Sequence, residues 1–323
     1  MIRGAFGTDR DWLTVMAVLT AIELAWWLAV WSLGMAPAPF VGTYILLASA
    51  GLALAVVVRL TLRLGPIEPS WQALAAGTLL VAIGASVFLP LKYAIPHEIP
   101  FWLDQPLMTS ERAAFGTHPW QIFDRVLGWA TRPIDLLYGC WLPTQLLVMF
   151  SVMLSQPSPA KSRALIAYSL AWFLLGAIGA VLLSSAGPLF YDRAFGGIEF
   201  APLAHALHSR GAWIALAESD RMWASVGAEH PGLVAGISAM PSIHVALSLW
   251  ILFVARSLAP RLTAPAIIYF ILIWIGSVQL GWHYVSDGLV GALGMWAVWR
   301  LTALKRTGEV RPTVASAAAA GRR

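Results

Sequence analysis

Charge is what this sequence has least of. Asp, Glu, Lys and Arg make up 11% of 323 residues, against 59% hydrophobic residues. That is too little polar surface to clothe a water-soluble fold, so soluble enzymes and nucleic-acid-binding modules are excluded as classes, and the net charge of +5 needs another reading. Cysteine is nearly absent as well. The single Cys140 lies in an apolar run, which rules out an intramolecular disulfide framework and leaves the redox compartment open. No internal repeat is strong enough to support a transporter built from repeated halves.

What the chain does have is long apolar runs, eight of them near the ~20 residues that a helix needs to cross a hydrocarbon core. They lie at Trp12–Leu33, Phe40–Leu62, Trp71–Leu91, Ile134–Leu154, Ala164–Ser184, Ser242–Leu258, Ala264–Trp282 and Ser286–Thr302. In lipid the backbone must satisfy its own polar groups, so each run is expected to be a helix. The first is too long for a signal-peptide core and reads as a retained span. The 17 Trp suit aromatic belts at the lipid–water boundary. The expected fold is therefore all-α: a polytopic integral membrane bundle of about eight transmembrane helices.

Basic residues orient it. With a cytoplasmic N-terminus, most Lys and Arg fall on the inner side, among them Arg10, Arg59, Arg63, Lys161, Arg163, Arg256, Arg261 and the basic tail from Lys305. An even number of spans returns the C-terminus to the same side. Residues 307–323, rich in Ala, Ser and Thr, read as a disordered cytoplasmic tail. Two outer loops are long, 92–133 and 185–241, and their aromatic content argues against disorder. Within the second, alternating apolar and polar residues suit helices lying in the interface. Richness in Ala, Arg and Trp points to a bacterial inner membrane, with the outer face periplasmic.

Three features meet on that outer face. Pro241-Ser242-Ile243-His244 opens the sixth run; Pro is preorganised for a first helical turn, and a helix N-terminus attracts phosphate. His283-Tyr284-Val285-Ser286-Asp287 lies between the last two runs. If helical, it sets His283 and Asp287 at i and i+4, where the carboxylate can fix the imidazole tautomer and leave the other nitrogen nucleophilic. Gly187-Pro188-Leu189-Phe190-Tyr191, followed by Asp192 and Arg193, lies just outside the fifth run. An out–in–out hairpin joins His244 to His283, so both sit at one depth: one can attack phosphorus while the other, protonated, serves the leaving oxygen. Two His and one Asp also suit iron or zinc, although the Pro-Ser lead-in has no role in a metal site. The remaining histidines, His97, His118, His205, His208 and His230, read as structural. Glu23, inside the first run, is given no role.

Pro-Ser-x-His followed by His-x-x-x-Asp, each at the outer end of a helix, resembles the type-2 phosphatidic acid phosphatase superfamily. The sequence is most similar to its inositol phosphorylceramide synthase and sphingomyelin synthase branch, which shares Gly-Pro-x-x-Tyr and a pattern like Asp104…Glu111-Arg112-Ala113-Ala114-Phe115-Gly116…Pro119. The likeness runs from about Asp104 to Gly291. It implies a six-helix core within residues 71–306, with residues 1–70 as two added helices. It also implies His283 as the nucleophile that forms a phosphohistidine, Asp287 as its orienting partner, and His244 as general acid and then base. No cofactor or metal is expected. The partner is a membrane lipid, the reaction phospho-headgroup transfer or, with water as acceptor, hydrolysis. Three departures stand out: the Lys-x₆-Arg-Pro block is missing, Gly276-Ser277 replaces Ser-Arg, and Ile243 replaces a Gly. The usual phosphate-clamping cations are thus absent, which suits a phosphodiester better than a phosphomonoester dianion. Arg193, with Arg112 and Lys92 behind it, is the candidate replacement; Ser242, Tyr191 and Tyr284 complete the expected substrate contacts. A transporter or scramblase and an inactive scaffold are the alternatives of other classes.

Overall fold

The computed structural model describes residues 9–226 and 236–304. The expected tail at 307–323 and His230 lie outside the described residues. All regular structure among the described residues is helical. In chain order the helices are α1 (Asp9–Ser32), α2 (Val41–Thr61), α3 (Trp71–Glu98), α4 (Asp104–Phe115), α5 (Pro119–Leu127), α6 (Thr131–Gly139) and α7 (Trp141–Met153). They continue as α8 (Pro159–Leu182), α9 (Pro188–Phe195), α10 (Ala201–Arg210), α11 (Trp213–Ser225), α12 (Ile243–Leu258), α13 (Thr263–Gln279) and α14 (Val285–Leu304).

Seven of the eight apolar runs coincide with one helix each, and the fourth, Ile134–Leu154, is divided between α6 and α7. Five helices are long and apolar enough to cross a membrane, or six if the pair Pro119–Gly139 and Trp141–Met153, bent by 45°, is one span. Of the others, α12 is only 16 residues long, and α14 carries Asp287 and Arg300. The chain is a polytopic helical membrane bundle. Its lipid-facing surface shows in side chains such as Leu46 and Leu60, 72% and 65% exposed, which a protein surrounded by water would not display so densely.

At the centre is α12, packed against α7, α8, α13 and α14. Val245, Ala246, Leu247 and Trp250 are fully buried, as expected of a helix apolar on every side, and Trp250 Nε1–H donates to the Ala164 carbonyl at 2.9 Å. On the flank, α1 packs on α3 and α8, and α2 on α3 and α7. One ion pair fixes α1 to α8: Lys161 Nζ lies 3.3 Å from Asp9 Oδ1, both side chains 1% exposed. Trp12 Nε1–H also donates to Asp9 at 2.8 Å. Leaving one member of such a pair alone costs about 3–5 kcal/mol.

Among the described residues, the two long segments 92–133 and 185–241 are mainly helical rather than extended loops. The third run continues to Glu98 despite Pro90 and Pro96, because neighbouring elements in a membrane bundle re-satisfy the groups a proline frees. Short helices α4, α5 and α6 fill the rest of the first segment, and α9, α10 and α11 the second. Carboxylates position them. Asp135 of α6 accepts the Ile214 and Ala215 N–H groups at the start of α11, both at 2.9 Å. Asp192 accepts Phe200 N–H at 2.9 Å, just before α10. An anion at a helix N-terminus satisfies unpaired donors and opposes the helix dipole.

Candidate active site

Three segments come together at one end of the bundle, where α8 and α13 end and α12 begins, joined mainly by backbone hydrogen bonds. Ala239 N–H donates to Ser185 O at 2.8 Å, Leu189 N–H to Gly281 O at 2.8 Å, and Ser242 N–H to Asp287 O at 3.0 Å. Gly187 sits at φ +89°, and a Cβ there would lie 2.5 Å from the Trp282 carbonyl oxygen, so the Gly-Pro turn needs glycine for both conformation and space. Gly291 serves the crossing of α14 on α12 in the same way, since a Cβ would meet Ser242 O at 2.3 Å. The Met240–Pro241 peptide is cis. Ser242 is the N-cap of α12, its hydroxyl accepting Val245 N–H at 3.4 Å, as Ser at this position usually does.

The two sequence-predicted histidines are brought together. His283 Nε2 lies 3.4 Å from His244 Nδ1, with the rings 5.5 Å apart and steeply inclined. His283 Nδ1 lies 3.5 Å from Asp287 Oδ2, and both side chains are buried. The route to that contact differs from the expected i, i+4 helical face. His283 precedes α14, which begins at Val285, and His283 N–H donates to Ser277 O at 3.0 Å. Asp287 sits in the first turn and reaches back to accept Tyr284 N–H at 2.9 Å, one half of a capping box. The carboxylate and the imidazole thus meet through a helix cap.

Two further carboxylates hold this cap, and the sequence reading gave them no role. Glu111 of α4 accepts Ser286 N–H and Ser286 Oγ–H, both at 2.7 Å, and Val285 N–H at 3.2 Å. Asp104 accepts Ala186 N–H at 2.7 Å, Gly187 N–H at 2.8 Å and the Tyr284 hydroxyl at 3.2 Å. Burial pushes the Asp104 carboxyl up to about 6, against the lowering effect of its two backbone donors; burial also raises Glu111. The Tyr284 phenol is raised by burial and by the Asp104 and Asp287 carboxylates, so it remains a donor. Asp104→Asn places an amide nitrogen where a carboxylate oxygen accepted. We expect it to cost about 1–3 kcal/mol, measured as a lower midpoint in detergent unfolding, with activity falling in parallel.

His244 is held by aromatic rings that sequence alone did not single out. Tyr138 stacks on it at 4.7 Å, Trp141 lies at 4.1 Å, and Trp141 Nε1–H donates to the His244 carbonyl at 3.1 Å. These two residues flank the bend between α6 and α7, so the bend positions the ring. The other expected contacts disperse. Tyr284 lines a crevice of about 10 Å³ with His283, Glu111 and His118. Tyr191 lines a larger cleft of about 560 Å³ next to it. Arg193 lines neither; its guanidinium is 2.5 Å from Asp220 Oδ1 and 3.4 Å from the Ser219 carbonyl. Among the described residues no group of three or more His, Cys, Asp and Glu side chains is arranged to hold a metal ion.

Fold and site together define a polytopic membrane protein with a paired-histidine centre backed by an aspartate. The family profile described as the PAP2 superfamily matches residues 106–301. That is more than half of the chain, and the chain belongs to this superfamily. Membership supports phosphatase- or phosphotransferase-type function in general terms. No curated protein and no solved structure matches the chain significantly.

Proposed function

We propose that the protein cleaves a lipid phosphate ester in two steps at the outer membrane face, and that the reaction leans to phospho-headgroup transfer. The observation that carries this is the succession of close approaches from Asp287 Oδ2 to His283 Nδ1, 3.5 Å, and from His283 Nε2 to His244 Nδ1, 3.4 Å. A carboxylate facing Nδ1 keeps the proton there and leaves the Nε2 lone pair to attack. In the first step Nε2 bonds to phosphorus, the ester P–O bond breaks, and protonated His244 gives its proton to the departing alkoxide. In the second step His244 takes the proton of an incoming hydroxyl, whose oxygen displaces His283 from phosphorus. Both imidazoles are thereby restored. At 3.4 Å the two nitrogens are too close for phosphorus to sit between them, so the phosphoryl group enters from the side and the rings part; such contacts commonly reach working geometry only with substrate bound.

The α12 N-terminus is the better anion site, because Glu111 already occupies the first N–H groups of α14. Arg193 is tied to Asp220, which leaves Lys92 of α3 as our candidate for the cation replacing the missing clamp. The family match begins at residue 106, in keeping with α1 and α2 as additions to a catalytic core. The inside-positive distribution of basic residues supports cytoplasmic termini and a periplasmic site.

The test is an incubation of purified protein with phosphatidic acid, an isoprenyl diphosphate, and a phospholipid with diacylglycerol, all with EDTA present. The expected result is release of phosphate or exchange of headgroup at the rate seen without EDTA. Loss of turnover on chelation would overturn the metal-independent mechanism, and no turnover of any donor would favour a transporter or scaffold.

A further inference from the structure

The start of α5 flanks the crevice of about 10 Å³ that reaches His283. His118, Pro119 and Trp120, the N-cap and first two residues of that helix, line it with Glu111, His283 and Tyr284, and the rest of its wall is apolar. Its volume is about that of one oxygen-sized probe. The His118 side chain makes no capping bond to α5 and lies 2.9 Å from Glu199 instead, so the positive end of the α5 dipole has no side-chain cap. The Trp120 side chain is the second feature. The residue is 6% exposed, and its Nε1–H is buried with no hydrogen-bond partner among the described residues. A buried donor left unpaired is costly, and Phe in the same place would avoid that cost.

Charge decides what such a crevice accepts. Among the described residues no Lys or Arg lines it. Glu111 supplies a carboxylate whose oxygens already take Val285 N–H, Ser286 N–H and Ser286 Oγ–H, and it repels further negative charge, the more so between apolar walls. A phosphomonoester dianion therefore meets a carboxylate and no counter-charge. A phosphodiester brings one charge shared between two oxygens, which neutral donors can hold.

We propose that the crevice seats one non-bridging oxygen of the phosphoryl group on His283, with Trp120 Nε1–H as its donor and Glu111 as the group that selects phosphodiesters over phosphomonoester dianions. The proposal rests on the phosphoryl-transfer reading of His283. The phosphoryl group carries a second non-bridging oxygen, which leaves the α12 N-terminus its own atom to hold. Trp120 is engaged as phosphorus approaches His283, so its contribution falls on kcat rather than on KM.

The test uses the full-length protein with Trp120→Phe and with 3-benzothienylalanine at position 120, an isostere of tryptophan that lacks the N–H. A p-nitrophenyl phosphodiester and p-nitrophenyl phosphate are the donors, and unfolding midpoints are read alongside. Loss of one donor to a developing charge is expected to lower kcat for the diester by about 10²-fold with little change in KM. The benzothienyl protein should keep or exceed the wild-type midpoint, because it sheds an unpaired donor. An unmoved diester kcat in the benzothienyl protein would overturn the role of Trp120. Wild type should favour the diester by about tenfold or more in kcat/KM at alkaline pH, and the preference should shrink as the monoester takes up its second proton, near about pH 6. A preference for the monoester, or one that ignores pH, would overturn the selection by Glu111. If wild type turns over neither of these nor any lipid donor, the transfer reading fails by itself. Dimethyl phosphate then still tests the crevice. A midpoint that it raises in wild type but not in the benzothienyl protein supports the site; equal protection by inorganic phosphate, or none by either ion, contradicts it.

Discussion

His283→Ala is expected to reduce lipid turnover by at least roughly 10⁴-fold, since removing a nucleophile disables both steps together. The side chain is buried and its ring meets His244 and Asp287, so His283→Asn, which keeps a polar group in the same space, should be equally inactive while restoring any stability lost with alanine. Initial rates on a phospholipid donor, alongside unfolding midpoints for both variants, separate the two effects. Activity that tracks the midpoint would mean that His283 is structural.

For His244→Ala we expect a loss of about 10²–10⁴-fold with lipid donors, the usual range for a general acid and base. The size should depend on the leaving group. A p-nitrophenyl phosphodiester releases a stable anion that needs no proton, so its first step should be far less affected than that of a lipid with an alkoxide leaving group. The second step still lacks its base, and a burst of p-nitrophenol followed by a slow phase is the expected trace. An equal loss with both donors, without a burst, would remove His244 from proton transfer.

The helices were legible because lipid permits little else: a run of apolar residues long enough to cross must satisfy its backbone internally, and seven of the eight runs coincide with one helix each. Their limits were less so. The third run, placed at Trp71–Leu91, continues through Pro96 to Glu98, and the shortness of α12 depends on where its cap and the turn before it fall. The pairing of His244 with His283 followed from the hairpin between them. The cap that carries Asp287 did not, because i, i+4 spacing is compatible with both a helical face and a first-turn carboxylate reaching backwards.

Asp104, Glu111 and Asp135 show why the supporting residues were hidden. Each accepts N–H groups from a segment far along the chain, and no local pattern marks a carboxylate that caps someone else's helix. Asp104 and Glu111 did stand in the motif shared with the phosphotransferase branch, a signal of importance without a role. Tyr138 and Trp141 gave no signal, since only the bend between α6 and α7 turns them onto His244. Arg193 drew notice through its place after Gly-Pro-x-x-Tyr, yet Asp220, on another helix, engages it.

The chemistry proposed here needs phosphorus to become bonded to one imidazole before any product alcohol can be replaced. A rapid quench of His244→Ala protein mixed with a ³²P-labelled p-nitrophenyl phosphodiester, whose first step needs no proton, addresses this directly. The expected result is close to one label per chain, stable to alkali, lost in acid, and mapped to the peptide carrying His283. Label on Ser242, or unlabelled protein that nonetheless releases product in a burst, would contradict it.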